Sequence, residues 1–381
     1  MDFSWSEEQL VFRNAVIQFA SKELNDGLIG RDCRAESSRE NWKKCATFGI
    51  QGLPIPEEYG GAGADVLTTV LALEALGYGC RDMGLLFSIN AQMWAVQMPI
   101  LNFGTEEQKQ KYLPDICSGQ IVGVHAMTEP DTGSDAFRLS TRAERVADGY
   151  LLNGTKMFVT NGSVADFALV FATINPAKGR WGISAFLVDE GTPGLFVGEN
   201  IGKMGLRTSP MNELVLQDCL VPSENRLGAE GGGASIFTNT MVWERSCSLA
   251  SHVGAMERQL EDCIRYARER QQFNQPIGKF QSVANRIADM KVRVETARLL
   301  LYRAAWQLDK RQPAGPEANI TKLFVSESYV QSSLDAVRIH GGYGYMTEFE
   351  VERALRDAVG GTFYAGTSDI QRVIIASYLG L

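Results

Sequence analysis

Residues Phe363 to Arg372 read FYAGTSDIQR. The aromatic pair is followed by Gly-Thr-Ser, and this order predicts a turn that opens a last helix, because Thr and Ser are favoured at helix N-caps. Backbone N–H groups and hydroxyls at a helix start can hold a phosphate or a carbonyl oxygen. Ala365 lies in the bend of this turn. The stretch therefore predicts a ligand-binding turn whose central side chain cannot act as an acid or a base.

Apolar residues recur at helical spacing on the N-terminal side of the turn. Leu249, Val253, Met256, Leu260 and Ile264 follow one another at intervals of three or four, which predicts a helix at about 235–270. Similar patterns predict helices at about 281–310, 317–340 and 350–380. Residues 229–381 are therefore predicted to form a four-helix bundle.

Two regions of different character precede the bundle. Residues 1–118 have helical spacing, as in the run VLTTVLALEALGYG. Between 119 and 228, runs such as FALVFATI, ISAFLVDE and NELVLQDCLV are rich in β-branched and aromatic residues and are separated by turn residues, a pattern typical of antiparallel strands. The expected fold class is α+β. It comprises an N-terminal α-helical domain (1–118), a barrel-like antiparallel middle domain (119–228) and the C-terminal bundle (229–381).

The composition is that of an ordinary globular chain and argues against several functions. A net charge of -8 gives no general attraction to nucleic acid. No apolar stretch is long enough for a membrane span. Seven scattered cysteines without CxxC spacing indicate reduced thiols and a cytoplasmic location. The three histidines stand far apart in the sequence, so we expect no metal site.

Four further segments combine glycine, hydroxyl and charged residues: MTEPDTGSD (127–135), KMFVTNG (156–162), RERQQFNQPIGKFQ (268–281) and RIHGGYGYMTEFEVERALRD (338–357). Glycine allows a ligand to approach the backbone closely. Each segment alone is compatible with an ordinary loop or hairpin. Together with FYAGTSDIQR, their order and spacing resemble the acyl-CoA dehydrogenase superfamily over nearly the whole chain. The resemblance implies the three-part fold above, an FAD cofactor and a homo-oligomer, usually a tetramer.

The resemblance also implies which residues hold FAD. The implied residues form three groups. The first two match family positions beside the flavin and its phosphates. The third matches positions that reach the dinucleotide, several of them in a neighbouring subunit. Phe158 departs from the family, in which tryptophan is common at this place. The implied residues are Met127, Thr128, Gly133 and Ser134; Phe158 and Thr160; and Arg270, Phe273, Gln281, Gly342, Thr367 and Asp369.

Dehydrogenation of an acyl thioester needs a base for the α-proton, and a positioned carboxylate typically contributes about 10²- to 10⁴-fold. Many family members carry that glutamate where this chain has Ala365. Glu244, followed by Arg245, matches the place where the isovaleryl-CoA dehydrogenase branch keeps its base. A glutamate in the first turns of a helix is often only a solvated group that complements the helix dipole. Because Ala365 accompanies it, Glu244 is predicted to be catalytic, with a pKa raised by burial against Trp243 and the flavin.

The substrate is harder to predict. Val242 replaces an Asp or Asn that contacts the pantetheine of CoA in many members. The segments around Glu244 and Ala365 are most similar to the prolyl carrier-protein dehydrogenases and oxidases of natural-product pathways, including anatoxin biosynthesis. We therefore expect a prolyl thioester on an acyl (peptidyl) carrier protein, with Arg245, Trp243, Tyr364 and Ala365 around it. A carrier is usually acidic, so we also expect a basic docking surface, for which Arg303, Lys310 and Arg311 are candidates.

Three alternatives remain open from the sequence. The first is a short branched-chain acyl-CoA dehydrogenase of the isovaleryl type, which shares the placement of Glu244. The second is a flavin monooxygenase on the same fold, in which Ala365 reflects the loss of dehydrogenase chemistry. The third is a binding protein that keeps FAD only as structure. Reduction of the flavin by a carrier-bound or a CoA thioester distinguishes them.

Overall fold

Helices make up the first part of this computed structural model, which describes residues 4–381. Ser6 caps the first helix: its hydroxyl accepts from the Gln9 N–H, and the Gln9 side chain accepts from the Ser6 N–H. A π-helical turn (Met93–Gln97) joins α5 to α6. The helices are α1 (Glu7–Glu23), α2 (Leu28–Arg34), α3 (Arg39–Thr47), α4 (Val66–Gly79), α5 (Met83–Gln92), α6 (Met98–Phe103) and α7 (Glu106–Cys117).

Strands dominate the middle of the chain. They are β1 (Gly123–Ala126), β2 (Arg142–Val146), β3 (Gly149–Thr160), β4 (Phe167–Thr173), β5 (Ile183–Asp189), β6 (Leu195–Val197), β7 (Met211–Pro222) and β8 (Arg226–Leu227). Their order in the sheet is β6-β7-β3-β2-β4-β5-β8, with β1 paired to β4. β4 is buried along its whole length, as expected for an apolar strand with neighbours on both sides.

The prediction of purely antiparallel strands needs one correction. β2–β3, β3–β7, β4–β5, β5–β8 and β6–β7 are antiparallel, but β1 and β4 run parallel, with Gly123 opposite Phe167. A single parallel bridge, Arg142 to Thr173, also joins β2 to β4. Parallel neighbours need a long connection. Here the β2–β3 hairpin lies between β1 and β4 in the chain and supplies it.

The C-terminal part is helical, as predicted, but two of the predicted helices are interrupted. The helix expected at 235–270 breaks after Cys247, and the one expected at 350–380 breaks at the FYAGT turn. The Gly-Thr-Ser order predicted the turn at the second break, whereas apolar spacing continues through the first and gave no sign of it. The elements are α8 (Gly233–Cys247), α9 (Ala250–Glu269), the short strands β9 (Gln271–Gln272) and β10 (Gln275–Pro276), α10 (Gln281–Asp309), α11 (Gly315–His340), α12 (Gly342–Tyr345), α13 (Val351–Gly360) and α14 (Ser368–Tyr378).

The helical parts pack together at close range. α4 and α9 contact each other across Gly77 and Gly254. A Cβ at Gly77 would lie 2.0 Å from the Ser251 carbonyl oxygen, and one at Gly254 would lie 1.9 Å from that of Glu74. One hydrophobic cluster extends from α1 through the sheet to α13. The breaks in the chain at about 118 and 228 fall between elements of different type, and the domain boundaries stay predictions.

Three further observations concern the cysteines, membrane-spanning helices and metal sites. The seven cysteines all lie within the described residues and are unpaired; Cys33 is exposed and the others are buried. Within residues 4–381, no helix has the length and apolar character needed to cross a membrane. The same residues contain no group of three His, Cys, Asp or Glu side chains placed to hold a metal ion.

Candidate active site

A cavity of about 630 Å³ lies between the sheet and the C-terminal helices. Its walls come from six places in the chain: α5 with the π-helical turn, β1 with the loop after it, the end of β3, the segment 203–206 with the start of β7, α8, and α13 with its link to α14. The predicted site residues that line it are Met127, Thr128, Gly133, Ser134, Phe158, Thr160, Glu244, Arg245, Tyr364, Ala365 and Thr367. Tertiary structure therefore brings together most of the residues that the sequence singled out.

Glu244 lies on the face of α8 that lines the cavity. Phe237, Met241 and Glu244 are spaced by four and three residues, so they follow one another along this face. The Glu244 carboxyl is buried. Burial raises its pKa to about 7, although the positive charges of Arg245 and Lys322 act in the opposite direction. A carboxylate with this pKa can take up a proton at neutral pH.

Arg245 fixes the turn that contains Ala365. Its Nε donates to the Ala365 carbonyl at 2.8 Å, and its Nη1 donates to the Asn319 Oδ1 at 3.0 Å. The Gln371 amide also donates to the Ala365 carbonyl, at 3.2 Å. Ala365 adopts a φ of +53°, which is unfavourable for a residue with a Cβ. These hydrogen bonds hold the turn in that conformation, next to Glu244 on the cavity wall.

The predicted helix start after this turn is confirmed. The Thr367 hydroxyl accepts from the Ile370 N–H at 3.1 Å and caps α14. Gly366 has a φ of +91°, which glycine adopts readily.

Tyr364 has a hydrogen-bond partner, His252, that the sequence did not connect with the site. Its hydroxyl lies 2.8 Å from the His252 Nε2. Its ring packs against Phe87, with 4.5 Å between centroids, and both rings line the cavity. Burial and the positive charge of Lys322 lower the pKa of His252 to about 3, so the imidazole is neutral. The Tyr364 and Phe87 rings therefore form one wall of the cavity, and the hydrogen bond to His252 fixes the position of Tyr364.

The loop after β1 is tied to β3 by a buried ion pair. The Lys156 Nζ donates to the Glu129 carboxylate at 2.8 Å and to the Met127 carbonyl at 3.2 Å. The Met157 N–H donates to the Thr128 carbonyl at 2.8 Å. Burial works against the charged form of Glu129, but the Lys156 ammonium outweighs it and lowers the pKa of Glu129 to about 2. The two FAD-loop segments expected from the sequence are therefore one connected unit.

The residues around this unit fit a planar aromatic group with a polar edge. Phe158 has a φ of +58° and is 55% exposed although it lines the cavity. A Cβ built on Gly133 meets nothing within 4 Å, so the backbone there is open to a ligand. The buried Nε2 of His125 has no hydrogen-bond partner among residues 4–381. Burial lowers the pKa of His125 to about 4, so this is a neutral polar group on the wall. A flavin suits this surface.

Other predicted residues do not line this cavity. Trp243 instead stacks on Trp94, with 6.1 Å between ring centroids. It directly precedes Glu244 on α8, so it lies on another side of the helix and points away from the cavity. Val242 is half-buried and also absent from the cavity wall. A wall role for Trp243 is therefore not supported by the geometry of one chain.

A second group of predicted cofactor residues lies on the outside of the C-terminal part. Phe273, in the loop between β9 and β10, is 86% exposed. The Arg270 guanidinium lies 5.6 Å from the centre of the Tyr343 ring. Gln281, Gly342 and Asp369 are exposed as well. One chain does not bring them to the cavity, so their contact with a cofactor of a neighbouring subunit stays a prediction.

Sequence reasoning missed several cavity residues. They are Phe87, Gln92, His125 and Phe237, together with His252 behind the wall. Phe87 and Gln92 are part of an apolar helix that reads as ordinary core. The isolated histidines were considered only as metal ligands. The one signal available was a histidine within β1, immediately before the loop that contains Gly133 and Ser134.

This fold and this cavity define a class of protein: an enzyme with a flavin-sized site whose wall contains a buried carboxyl group. Three family models match the chain: the acyl-CoA dehydrogenase N-terminal domain at residues 6–120, the middle domain at 125–219 and the C-terminal domain at 231–380. The chain belongs to the acyl-CoA dehydrogenase family.

Particular relatives are similar over their full length. An L-prolyl-[peptidyl-carrier protein] dehydrogenase of Pseudomonas fluorescens is 44% identical, with 100% of each chain covered. A solved structure of the prolyl acyl carrier protein oxidase AnaB is 51% identical, with a TM-score of 0.98 over 99% of this chain and 100% of that one. A structure of PigA with FAD and proline is 42% identical, with a TM-score of 0.97 and 100% of each chain covered. The expected family and three-part fold are confirmed.

Proposed function

We propose that this chain is an FAD-dependent enzyme that oxidises an L-prolyl thioester on a peptidyl carrier protein to a pyrroline-carboxyl thioester. The observation that carries the proposal is the juxtaposition of Glu244 and Ala365 on one cavity wall. The family offers two places for a base, and this chain has a carboxylate at one and a methyl group at the other. The similarity to the two prolyl relatives supports the choice of acyl group.

FAD would be held by the connected loop and strand that carry Met127, Thr128, Gly133, Ser134, Phe158 and Thr160. When bound, it supplies the acceptor for the hydride that leaves the substrate. Glu129 and Lys156 lie beneath this surface and hold its two segments in register. We also propose that Arg270, Phe273, Gln281, Gly342 and Asp369 complete the cofactor site of a second subunit, which requires at least a dimer and suits a tetramer.

Glu244 takes the α-proton. Its raised pKa makes the protonated carboxyl, which this proton transfer produces, accessible near neutral pH. The α-proton is acidic only when the thioester carbonyl is polarised by hydrogen-bond donors. The Ala365 N–H donates to no backbone carbonyl among residues 4–381, and we assign it that role. Arg245 supports this step indirectly, because its hydrogen bond to the Ala365 carbonyl orients the peptide group.

The acyl pocket is short. Phe87 and Tyr364 close it with two aromatic rings, and Gln92 adds a polar group to the wall near β1. The Gln92 Oε1 is buried and accepts from the Gly123 N–H at 2.9 Å, while the Gln92 Nε2 has no partner among residues 4–381. A five-membered ring with a nitrogen suits an enclosure that is aromatic on one side and polar on the other. A short branched acyl group is the closest competitor.

An anaerobic titration tests the proposal. The purified flavoprotein is mixed with the L-prolyl carrier protein and, separately, with isovaleryl-CoA, while flavin absorbance is recorded. We expect bleaching by the carrier-bound proline. Bleaching by the CoA ester alone would overturn the substrate assignment and favour the branched-chain alternative. Absence of bleaching by either thioester would favour the monooxygenase or a purely structural flavin.

The base is tested by Glu244→Gln. We expect this variant to keep its flavin and to lose substrate-driven bleaching by about 10²- to 10⁴-fold in rate. Glu58→Gln, an exposed carboxylate far along the chain, serves as the control and should bleach normally. A Glu244→Gln variant that bleaches at the wild-type rate would remove Glu244 from the base role.

A further inference from the structure

An exposed turn in the β-domain carries two cations and an indole. The turn Pro176–Gly182 connects β4 to β5. Lys178, Arg180 and Trp181 all lie on its exposed side, and Trp181 is 59% exposed. The Arg180 guanidinium lies over the Trp181 ring, 4.6 Å from its centre. Large exposed aromatics stacked on arginine are the residue types that dominate binding energy at protein interfaces.

This turn packs against two elements that line the cavity. It contacts α8 and also the short turn Ala136–Arg138. Both of these carry cavity-lining residues, Phe237 on α8 and Ala136 on the short turn. Phe137 packs edge-on against Phe237, with 5.7 Å between centroids, and so joins the two elements at this side of the cavity. Arg138, at the end of the short turn, adds a third cation. We call Arg138, Lys178, Arg180 and Trp181 the cationic patch.

α8 connects the patch to the base. The helix starts at Gly233, near the patch, and Glu244 lies eleven residues further on. At 1.5 Å per residue this is a rise of about 16 Å. Phe237 and Met241 line the cavity along this path. An acyl group that reacts at Glu244 and is delivered from the patch must therefore be carried on a long, narrow arm.

The patch has a charge opposite to that of the chain. The chain as a whole has a net charge of -8. In the patch, Arg138 has one weak partner, Asp135 at 3.7 Å, and both side chains are mostly exposed. Neither Lys178 nor Arg180 has a carboxylate within ion-pair distance among the described residues. By contrast Arg303, one of the cations considered from the sequence, is already paired with Glu317 at 2.8 Å.

We propose that the cationic patch is the docking surface for the acidic face of the carrier protein around the attachment point of its phosphopantetheine arm. The inference rests on the proposed function, because that function makes the carrier protein the substrate that has to dock. Unpaired cations at the rim attract an acidic partner over distance and set its association rate. Trp181 then supplies contact area, and the arm follows α8 to Glu244.

Single-turnover reduction of the flavin separates docking from chemistry. The observed rate is measured against the concentration of L-prolyl carrier protein for wild type and for the Lys178→Glu, Arg180→Glu double variant. We expect the half-saturating concentration to rise at least tenfold while the limiting rate stays within a factor of two. The wild-type half-saturating concentration should rise with added salt, and that of the variant should depend on salt less.

Matched controls address nonspecific charge and folding. Lys43→Glu introduces the same change at an exposed lysine on α3 and should leave the half-saturating concentration unchanged. The milder Lys178→Gln, Arg180→Gln pair should show an intermediate shift, and it keeps the test available if the charge-reversed protein is unstable.

The outcomes separate this inference from the proposed function. An unchanged half-saturating concentration in the double variant overturns the docking surface and leaves the function intact. A fall in limiting rate without a change in half-saturation also overturns it, because the patch would then act on the reaction. If wild-type flavin is not reduced by the prolyl carrier protein at any concentration, the proposed function fails, and the docking surface fails with it.

Discussion

At the scale of single residues, the site depends on two positions that compensate each other. Glu244 is a buried carboxylate with no positive partner in hydrogen-bond contact among residues 4–381, an arrangement that proteins avoid unless it serves a purpose. Ala365 occupies a left-handed conformation that a residue without a Cβ would adopt more easily. Both features cost stability, and both lie on the cavity wall. Unfavourable residues concentrated at one place are typical of functional sites.

The free-energy cost of burying the Glu244 carboxylate can be measured as a pH dependence of the unfolding free energy. Its pKa is about 7 in the folded protein and about 4.5 when unfolded, so the folded state binds more protons between these values. Stability due to this group therefore falls as pH rises from 4.5 to 7, by on the order of 3 kcal/mol. Glu244→Gln removes this effect. We expect the variant to be more stable than wild type at pH 8, with a difference that shrinks towards pH 4.5.

Thermal unfolding of both proteins across this range is the measurement. A difference that is constant with pH would mean that the carboxyl titrates normally in the folded state and is not desolvated.

His252 is expected to act through Tyr364. In His252→Phe the tyrosine hydroxyl loses its buried partner, at a cost of about 1–3 kcal/mol. Tyr364→Phe removes the other partner. If the hydrogen bond is the link, the double variant loses less stability than the two single changes added together. We also expect the KM for the prolyl thioester to rise in His252→Phe, because the wall formed with Phe87 loosens. Additive losses with an unchanged KM would contradict this role.

At the scale of elements, the site depends on a few close contacts between segments. The Lys156–Glu129 pair joins a loop to a strand, the Arg245 guanidinium joins α8 to the α13–α14 link, and α4 crosses α9 at two glycines. α9 begins only two residues after α8 ends, and it carries His252. The α4–α9 crossing therefore sets the position of the wall behind Tyr364.

The glycine crossing is tested by Gly254→Ala. The added methyl group would lie 1.9 Å from the Glu74 carbonyl oxygen, which is backbone and cannot move aside without shifting a helix. We expect a loss of at least about 2 kcal/mol in unfolding free energy. Gly202→Ala, where a Cβ meets nothing within 4 Å, should change the unfolding free energy by less than about 0.5 kcal/mol. Equal effects of the two changes in urea unfolding would show that the helices do not approach this closely.

At the scale of the whole molecule, the exposed apolar residues of the C-terminal part indicate an interface. Phe273, Tyr345 and Leu381 are 86%, 76% and 91% exposed. Exposed apolar patches mark protein or ligand contacts. The predicted cofactor residues Arg270 and Phe273 lie in the same region, away from the cavity of their own chain. The proposed sharing of a cofactor between subunits would account for both observations.

Phe273→Ser tests this sharing. Loss of an exposed ring should leave the stability of a single chain almost unchanged, but we expect a lower flavin-to-protein ratio and a smaller assembly, because the ring would contact the cofactor of a neighbour. Flavin absorbance and light scattering on a sizing column measure both quantities. Val11→Ser, at an exposed apolar residue on α1, is the control. Full flavin content in a dissociated Phe273→Ser protein would exclude a shared cofactor.

The sequence alone determined the order of helical, β and helical regions, because apolar periodicity is a local property of each segment. Through its resemblance to a family it also singled out Glu244, Ala365 and the FAD-loop residues, because these lie in short motifs that match those of the family. Only the tertiary structure decided that β1 and β4 run parallel, that α8 ends before α9, and that Trp243 turns towards Trp94. The hydrogen bond of Tyr364 to His252, the wall with Phe87 and the patch beside α8 likewise join residues far apart in the chain. Such contacts are set by packing between segments, which no local pattern records.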